Sequence, residues 1–339
     1  MLEKKQNQFN KHLKGSDAPF MNIVTTIPII SAAIEGWLYA AVAFADEKKS
    51  YRRKQQLKSF FGALTNPCFT AKWYQILKSP DFSFITEHRR RIYLKPYRVY
   101  MSTQWTKKQK VKVICDTYRF IMGKGETLKQ VINGNKMLEI AHFKLTYTIE
   151  ASLTLGYDER FRKEGELVFS FECSQLGGRI VAAALSFEEV AFEQWVCRIG
   201  CIQGIKQNRE NSSKTAQKLL NGLRPKSLII FAIQEFSRQL GCINVYGAGD
   251  SIHAYRRKHA IHLPSLHTIT FDYDSIWNES GGQQNSEGWF KLPLSPSRKS
   301  IEELKSHKRA LYRRRYAQMD EIALKIATSV KNIALKKVL

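Results

Sequence analysis

Apolar residues in the first third of the chain recur at the spacing of an amphipathic helix. This period is sustained between residues 29 and 64, and its second half carries one apolar stripe. The stripe consists of Tyr51, Leu57, Phe60, Phe61 and Leu64. Lysines and arginines fill the opposite face of the same predicted helix. We therefore predict a basic helical region over residues 18–130, preceded by a flexible tail over residues 1–17.

Shorter segments complete this basic region. Residues 107–122 are predicted to form a helix, which either Ser102 or Thr103 caps at its start. Residues 91–101 alternate between apolar and polar side chains in the manner of a strand.

The hydrophobic pattern changes to a period of two in the middle of the chain. Strands are predicted over residues 136–155, 166–173, 179–187 and 195–202. Gly177 and Gly178 supply the positive φ that a hairpin turn needs between the second and third of these strands. Together these segments predict an antiparallel sheet of four or five strands.

A strand–helix–strand unit follows this sheet. Pro225 suits a first helical position, and the helix that it opens is apolar nearly all round, which predicts burial against the sheet. Gly241 ends the helix, and residues 242–247 form the next strand, which such a unit places parallel to the strand before the helix. A further strand is predicted over residues 267–273.

These elements predict the α+β fold class. Residues 131–299 form a mixed, mostly antiparallel sheet core that contains the strand–helix–strand unit, and residues 300–339 form a long helix. Ser300 and Glu303 have the spacing of a capping box at the start of this helix. One of its faces is apolar, and another carries a basic ridge formed by Lys305, Lys308, Arg309, Arg313, Arg314 and Arg315.

The net charge predicts the class of partner that the protein binds. The sequence has 54 Lys and Arg against 30 Asp and Glu, a formal net charge of +24. A surplus of this size favours association with polyanions. We predict an anionic membrane surface or envelope component as the partner, with nucleic acid as an alternative. Tyrosines interleaved with the basic ridge fit either stacking on bases or snorkelling at a bilayer surface.

Residues 18–45 are apolar and invite comparison with a signal peptide or a membrane span. Pro28 and Glu35 interrupt this segment, and a long hydrophilic lead precedes it, which argues against both. The six cysteines lack the spacing of a metal site and predict free thiols in a reducing compartment. We predict a cytoplasmic protein that associates peripherally with the inner membrane, without a cleavable signal peptide or a transmembrane helix.

Candidate chemistry lies where the predicted strands end. The sequence contains no P-loop, Rossmann fingerprint, HExxH motif or nucleophile elbow. Gln203 and Gly204 follow a strand, while Arg224 and Lys226 flank the start of a helix, where free N–H groups favour an anion. These residues are predicted to bind cofactor phosphates. The alternative is that the glycine belongs to a plain turn and the charges are solvated.

His253 and Glu279 are the candidate catalytic bases. His253 follows the strand that ends at Gly247, at the edge where the sites of α/β proteins collect. Nearby aromatic residues are predicted to form a pocket wall, namely Tyr255, Tyr273, Trp277 and Trp289. The alternative is a loop that packs its aromatics as a local core. His259 and His262 lack a carboxylate or thiol that would complete a metal site, and no metal is predicted.

Six motifs occur in an order that resembles the VirK/YbjX family of Gram-negative bacteria. They are IGCIQG from residue 199, GLRPK from 222, HAY from 253, YDSIWNESGG from 273, GWFKLP from 288 and KRALYRRRY from 308. The resemblance covers roughly residues 30–325. It implies a role in envelope remodelling, virulence and resistance to cationic antimicrobial peptides. It implies no catalytic residues, because none are established for the family.

A second likeness concerns the fold alone. Antiparallel strands followed by strand, loop, helix and strand are similar to the acetyltransferase architecture, in which the coenzyme A pyrophosphate lies on the loop after the central strand. Gln203 and Gly204 fall where that loop begins, but residues 203–208 depart from its usual glycine pattern. One hypothesis is an acyltransferase-like enzyme that uses a coenzyme A thioester on an envelope component at the cytoplasmic membrane face. The other is a non-enzymatic basic protein that binds anionic lipid, nucleic acid or an acidic partner.

Overall fold

The computed structural model describes residues 26–204, 210–256 and 271–335 of the 339-residue chain. The chain divides into two compact units, the first ending at Gln75 and the second beginning at Ile76. The predicted tail over residues 1–17, His259 and His262 lie outside the described residues, as does most of the strand predicted over residues 267–273.

The first unit is helical. It contains α1 (Thr26–Ala43), α2 (Lys49–Leu64) and the beginning of α3 (Pro67–Lys78). The helices α1 and α2 approach each other closely, since a Cβ atom on Gly36 would lie 3.0 Å from the Ser59 hydroxyl oxygen. The helical prediction for residues 29–64 is confirmed, with a break between the two helices.

The second unit opens with further helical segments. These are α4 (Ser83–His88), a 3₁₀ helix (Arg90–Tyr97), α5 (Lys107–Gly123) and α6 (Glu126–Ile132). The strand predicted over residues 91–101 is wrong, because Pro96 has no N–H for a ladder and the segment coils into the 3₁₀ helix instead. The cap of α5 is Thr106, in a capping box with Gln109, so the two upstream caps predicted for it are also wrong.

An eight-stranded sheet forms the centre of the second unit. Its strands are β1 (Leu138–Lys144), β2 (Glu150–Gly156), β3 (Leu167–Cys173), β4 (Gly178–Ala191), β5 (Gln194–Gly204), β6 (Cys242–Ala248), β7 (Gln283–Gln284) and β8 (Trp289–Leu292). Their spatial order is β1-β2-β3-β4-β5-β6-β8-β7. All neighbours are antiparallel except β5 and β6, which are parallel. The predicted α+β class with a mixed, mostly antiparallel sheet is confirmed.

Two local predictions within this sheet are confirmed. Gly177 and Gly178 adopt φ values of 95° and 93° in the turn between β3 and β4. The parallel strands β5 and β6 are joined through α7 (Glu210–Leu219) and α8 (Pro225–Gln239). Because α8 is apolar on nearly every side, it packs against the sheet from β3 to β6.

The C-terminal part contains α9 (Tyr273–Glu279), the β7–β8 hairpin and the long helix α10 (Ser306–Leu335). The apolar face of α10 packs on α8 and β1, and its buried residues are Met319, Ile322, Ile326, Val330 and Ile333. The long helix is confirmed, but it begins at Ser306 rather than at the predicted capping box. The Arg309 guanidinium donates to the carbonyls of Glu302 and Leu304, at 2.9 and 3.0 Å, which satisfies these groups outside the helix.

Candidate active site

The two parallel strands separate at their carboxyl ends. Their pairing runs as far as Ile199 on β5 and Gly247 on β6, while β5 continues to Gly204. Among the described residues, no strand pairs with the last residues of β5 on the β6 side. A gap of this kind between parallel strands is where ligands of open α/β sheets bind.

Side chains from α9 fill this gap. The Tyr273 hydroxyl accepts from the backbone N–H of Ile202, at 3.3 Å, and donates to its carbonyl, at 3.2 Å. The Trp277 indole N–H donates to the carbonyl of Ala248, at 2.9 Å. Tyr273 thus forms hydrogen bonds with the end of β5, and Trp277 forms one with the end of β6. The buried backbone groups that strand pairing would otherwise satisfy are bonded here by side chains.

Two glycines allow these close approaches. A Cβ atom at Gly247 would overlap the Trp277 ring, and one at Gly200 would overlap the backbone oxygen of Glu164. Glycine at these positions is therefore required by packing against α9 and against the loop that precedes β3.

Glu164, in that loop, is the central group of the candidate site. Its side chain is fully buried, and both carboxyl oxygens accept from the Gln203 amide, at 3.1 and 3.3 Å. Burial raises the pKa of Glu164 from its ordinary 4.5 to about 7, and the bonds from Cys201 and Gln203 and the charge of Lys163 offset only part of this effect. A carboxyl group with a pKa near neutrality can both accept and donate a proton at physiological pH.

Aromatic residues and a histidine surround the same region. His253 is 1% exposed, its ring stacks on Tyr273 with 4.4 Å between centroids, and its Nδ1 accepts from the backbone N–H of Tyr255, at 3.4 Å. Burial, and then the charge of Glu164, raise the pKa of Tyr255 to about 12. Burial, and then the charges of Cys201 and Glu164, raise the pKa of Tyr273 well above its ordinary value. Both phenols therefore stay protonated near neutral pH and are available as hydrogen-bond donors.

A second buried carboxylate lies two residues from Glu164 in a different environment. Glu166 forms an ion pair with Lys95 and accepts from the Tyr118 hydroxyl at 3.1 Å. Burial lowers the pKa of Lys95, although the charge of Glu166 opposes this change. Glu166 thus has a cation in direct contact, whereas Glu164 is bonded by a neutral amide. The two carboxyl groups therefore lie in contrasting environments.

The predicted phosphate-binding residues divide into two places. The Lys226 Cε would lie 3.6 Å from a Cβ on Gly204, so the structure brings this lysine to the end of β5 beside Gln203. Its ammonium lies 3.2 Å from the Phe271 ring centroid, and burial lowers its pKa to about 8. Arg224 instead pairs with Glu279 at 2.7 Å on the surface. Of the predicted set, Gln203, Gly204 and Lys226 are the ones that lie together.

The predicted pocket-wall residues also divide. Tyr255 and Tyr273 lie in the cluster around Glu164, and Trp277 is buried on Gly247. Trp289 is buried against Trp105, with 5.3 Å between ring centroids, and under the Arg198 guanidinium. These contacts place Trp289 in the core.

Glu164 was not among the residues predicted from the sequence. The segment Glu164-Gly165-Glu166 precedes β3, and a carboxylate beside a glycine at the start of a buried strand is the only local signal that it carries. Its contact with β5 depends on Gly200, far along the chain, which no local pattern reveals.

Part of the basic ridge forms an exposed charged surface, and part of it bonds to the rest of the protein. Lys305, Lys308, Arg313 and Arg314 are exposed. Arg315 donates to the carbonyl of Asn221 at 3.0 Å, and Arg309 bonds the loop before the helix. Two of the six predicted docking residues thus also hold the helix in place.

Within the described residues, two kinds of feature are absent. No helix in the described ranges is long and apolar enough to cross a membrane. No group of three or more His, Cys, Asp or Glu side chains suited to a metal ion is found within the same part of the chain.

These features define an α+β protein with a mixed sheet, whose parallel strands separate beside a buried carboxyl group. The protein family DUF535, which is described as "Protein of unknown function", matches residues 48–328. The chain belongs to this family, and the predicted membership of the VirK/YbjX family is confirmed.

Three curated proteins illustrate the relationship. The chain is 26% identical over 290 residues to "Uncharacterized protein YbjX" of Escherichia coli strain K12, a match that covers 83% of this chain and 84% of the relative. It is 33% identical to two uncharacterized proteins of Haemophilus influenzae, over 129 and 128 residues, or 38% and 37% of this chain and 42% and 40% of theirs. No solved structure matches the chain.

Proposed function

We propose that the second unit is an acyltransferase that uses a coenzyme A thioester, with Glu164 as its general base. The observation that carries this proposal is the position of Glu164. A fully buried carboxyl group with a pKa of about 7 lies beside the point where β5 and β6 separate. A base poised near the working pH is what proton removal from an acceptor amine or hydroxyl needs.

The strand arrangement supports the acetyltransferase-like part of this proposal. The antiparallel strands β1 to β5 are followed by β6, which is parallel to β5 and connected to it through helices. In the final hairpin, β8 pairs with β6 and β7 forms the edge of the sheet. The part of β5 beyond Ile199, which no described strand pairs on the β6 side, suits an extended, amide-bearing ligand arm such as the pantetheine of coenzyme A. The N–H and carbonyl of Ile202, which the Tyr273 hydroxyl bonds, are the groups that such an arm would take over.

Gln203, Gly204 and Lys226 are the residues to which we assign the cofactor phosphates. Lys226 lies near the first turn of α8, where free N–H groups and the helix dipole favour an anion. Burial alone accounts for its lowered pKa, to about 8, and a bound phosphate would reverse that change. Arg224 and Glu279, as a surface ion pair, have no part in this step.

The acceptor amine or hydroxyl attacks the thioester carbonyl carbon, and its proton passes to the carboxylate of Glu164. The carbon–sulfur bond then breaks, and the proton held by Glu164 is finally transferred to the departing sulfur, giving acylated acceptor and free coenzyme A. His253 and Tyr273, stacked beside the gap, position the reacting groups and exclude water.

The acceptor that we propose is an envelope component at the cytoplasmic membrane face. The exposed basic residues of α10 would bring the enzyme to an anionic surface, since each lysine or arginine near such a surface contributes about 1 kcal/mol.

Thermal unfolding with coenzyme A thioesters tests the proposal. Acetyl- and palmitoyl-coenzyme A should raise the melting temperature, because a ligand at a hundred times its Kd stabilises by about 2.7 kcal/mol. Lys226→Met should remove most of this shift. Lys291→Met, which changes an exposed lysine on β8, should retain it. If neither thioester stabilises the wild-type protein, the acyltransferase proposal fails.

A second candidate function is non-enzymatic binding to a polyanion through α10. The observation in its favour is that Lys308, Arg313 and Arg314 are exposed within about two turns of one helix, with the exposed Lys305 directly before its first residue. Binding to anionic vesicles or duplex DNA should weaken steeply with salt. Arg313→Glu/Arg314→Glu should abolish this binding, and the charge-matched control Lys108→Glu/Lys331→Glu should not. Equal binding by both variants would exclude the ridge as the contact.

A further inference from the structure

We propose that the helical hairpin of α1 and α2 docks on the surface of an anionic phospholipid bilayer. This inference concerns the first unit alone and does not depend on the proposed acyl transfer. It begins from the polarity of the hairpin, which is reversed relative to that of a soluble helical pair.

Polar side chains of α2 are buried, and large apolar ones are exposed. Gln55, Gln56 and Ser59 are 6%, 8% and 6% exposed, whereas Leu57 and Phe61 are 48% and 59% exposed. In a water-soluble helix the apolar face turns to the core and the polar face to solvent. The apolar stripe identified in the sequence thus points outward in the structure.

The outward face of α1 is equally apolar. Ile30, Ile34, Leu38 and Val42 follow one another at four-residue spacing, and each is at least half exposed. Small residues make the inward face, since Ala32, Ala33, Gly36, Ala40 and Ala43 are buried. Packing through small residues allows the two helices to approach closely while the large side chains project away from the pair.

A shallow apolar groove joins the two outward faces. It has a volume of about 250 Å³ and is lined by Ile34, Trp37, Leu57, Phe60 and Phe61. Its lining therefore combines residues from the outward stripes of both helices. Contiguous exposed apolar surface of this kind marks an interaction site with a membrane or another macromolecule.

Charge identifies the bilayer as the occupant. Before and beside the groove, α2 carries Lys49, Arg53, Lys54 and Lys58. Arg53 lies one turn before Leu57 and therefore on the same side of α2 as the groove, from which a long basic side chain can snorkel to lipid head groups. Residues 26–75 contain seven Lys and Arg and three Asp and Glu. A second copy of this chain would bring like charges together, whereas anionic head groups complement them.

The same features set the depth of docking. No helix among the described residues is long and apolar enough to span a bilayer. Because its outward face is apolar and basic residues flank that face, the hairpin lies in the interface, with its apolar face at the acyl boundary and its basic residues among the head groups.

Co-sedimentation of the full-length protein with vesicles tests this inference. The vesicles contain phosphatidylcholine and phosphatidylglycerol at about seven to three, with pure phosphatidylcholine for comparison. Ile34→Ser/Leu38→Ser/Phe61→Ser should lower partitioning by at least about a hundredfold, because several apolar side chains no longer enter the interface. Arg53→Gln/Lys54→Gln should lower it on the anionic vesicles by about fivefold for each charge removed.

Matched controls separate docking from general effects of substitution. Val190 and Phe192, at the β4–β5 turn, are 49% and 70% exposed, so Val190→Ser/Phe192→Ser removes similar exposed apolar surface elsewhere. This control should partition as the wild type does, and circular dichroism should show that all variants fold. Light scattering distinguishes the bilayer from the alternative occupant, a second copy of this chain. If the wild type forms a dimer that the triple variant loses, and both sediment equally with vesicles, the bilayer proposal is overturned in favour of a second copy.

Discussion

Replacing Glu164 with glutamine tests the buried carboxyl group directly. Burial raises the pKa of Glu164 from 4.5 to about 7 in the folded protein, while the unfolded chain keeps the ordinary value. Between these values the folded state holds a proton that the unfolded state has released. Folding therefore takes up a proton, and its free energy becomes less favourable as the pH rises through this interval.

The size of this effect follows from the interval. About 2.5 pH units at 1.36 kcal/mol per unit correspond to about 3 kcal/mol. The contribution of Glu164 is fully present below about pH 4.5 and is lost as the pH rises to about 7 and beyond. Glutamine has nearly the same shape and no charge, so Glu164→Gln should match the wild type near pH 5 and exceed it in stability at pH 8.

Thermal unfolding at pH 5 and pH 8 measures this difference. For a chain of this size 1 kcal/mol corresponds to roughly 2–4 °C, so the variant should gain several degrees over the wild type at pH 8. Other titrating groups cancel, because both proteins share them. A difference in melting temperature that is the same at both pH values, or that favours the wild type at pH 8, refutes the assignment of a raised pKa to Glu164.

Three further predictions concern packing and ionisation in the second unit. Gly200→Ala should destabilise by about 3 kcal/mol or more, because its Cβ would overlap a neighbouring backbone oxygen, whereas Gly123→Ala, with open space around it, should be nearly neutral in thermal unfolding. Lys95→Met should cost about 3–5 kcal/mol by leaving Glu166 without its cation, and Lys95→Met/Glu166→Gln should recover part of this loss in the same assay. A thiol reagent should label Cys68 alone in the folded protein and all six cysteines in denaturant, because the other five are buried; rapid labelling of a second thiol without denaturant would contradict the fold.

Local patterns were sufficient to predict strands β1 to β6 and the helix α8, but not the short strands β7 and β8. Gly177-Gly178 between two apolar runs specifies a hairpin wherever it occurs, since only glycine adopts both φ values without cost. Pro225 and Gly241 delimit α8 through the same kind of local chemistry. These elements follow from residues adjacent in sequence, and for that reason the sequence reveals them.

The rest depends on contacts that no local pattern contains. Glu164 acquires its raised pKa from burial beneath Gln203, and that burial depends on the absence of a side chain at Gly200. The segment from Tyr273 is a short helix because the Asp272 side chain accepts from the backbone N–H of Ser275, at 2.8 Å, although its aromatic density suggested a loop or pocket wall. Amphipathic periodicity likewise located α2 correctly but does not tell which of its faces turns outward.

The parallel pairing of β5 with β6 affects the order in which the sheet folds. Strands β1 to β5 form a meander in which each strand pairs with its neighbour in sequence, so these pairings close short loops. The pairing of Trp195 with Cys242 joins residues far apart along the chain and must wait for α7 and α8. We expect the meander to gain protection first in pulse-labelled hydrogen exchange and β6 to gain it last. Because the gap that Tyr273 and Trp277 occupy exists only once this pairing has formed, we expect the proposed binding site to be assembled late in folding.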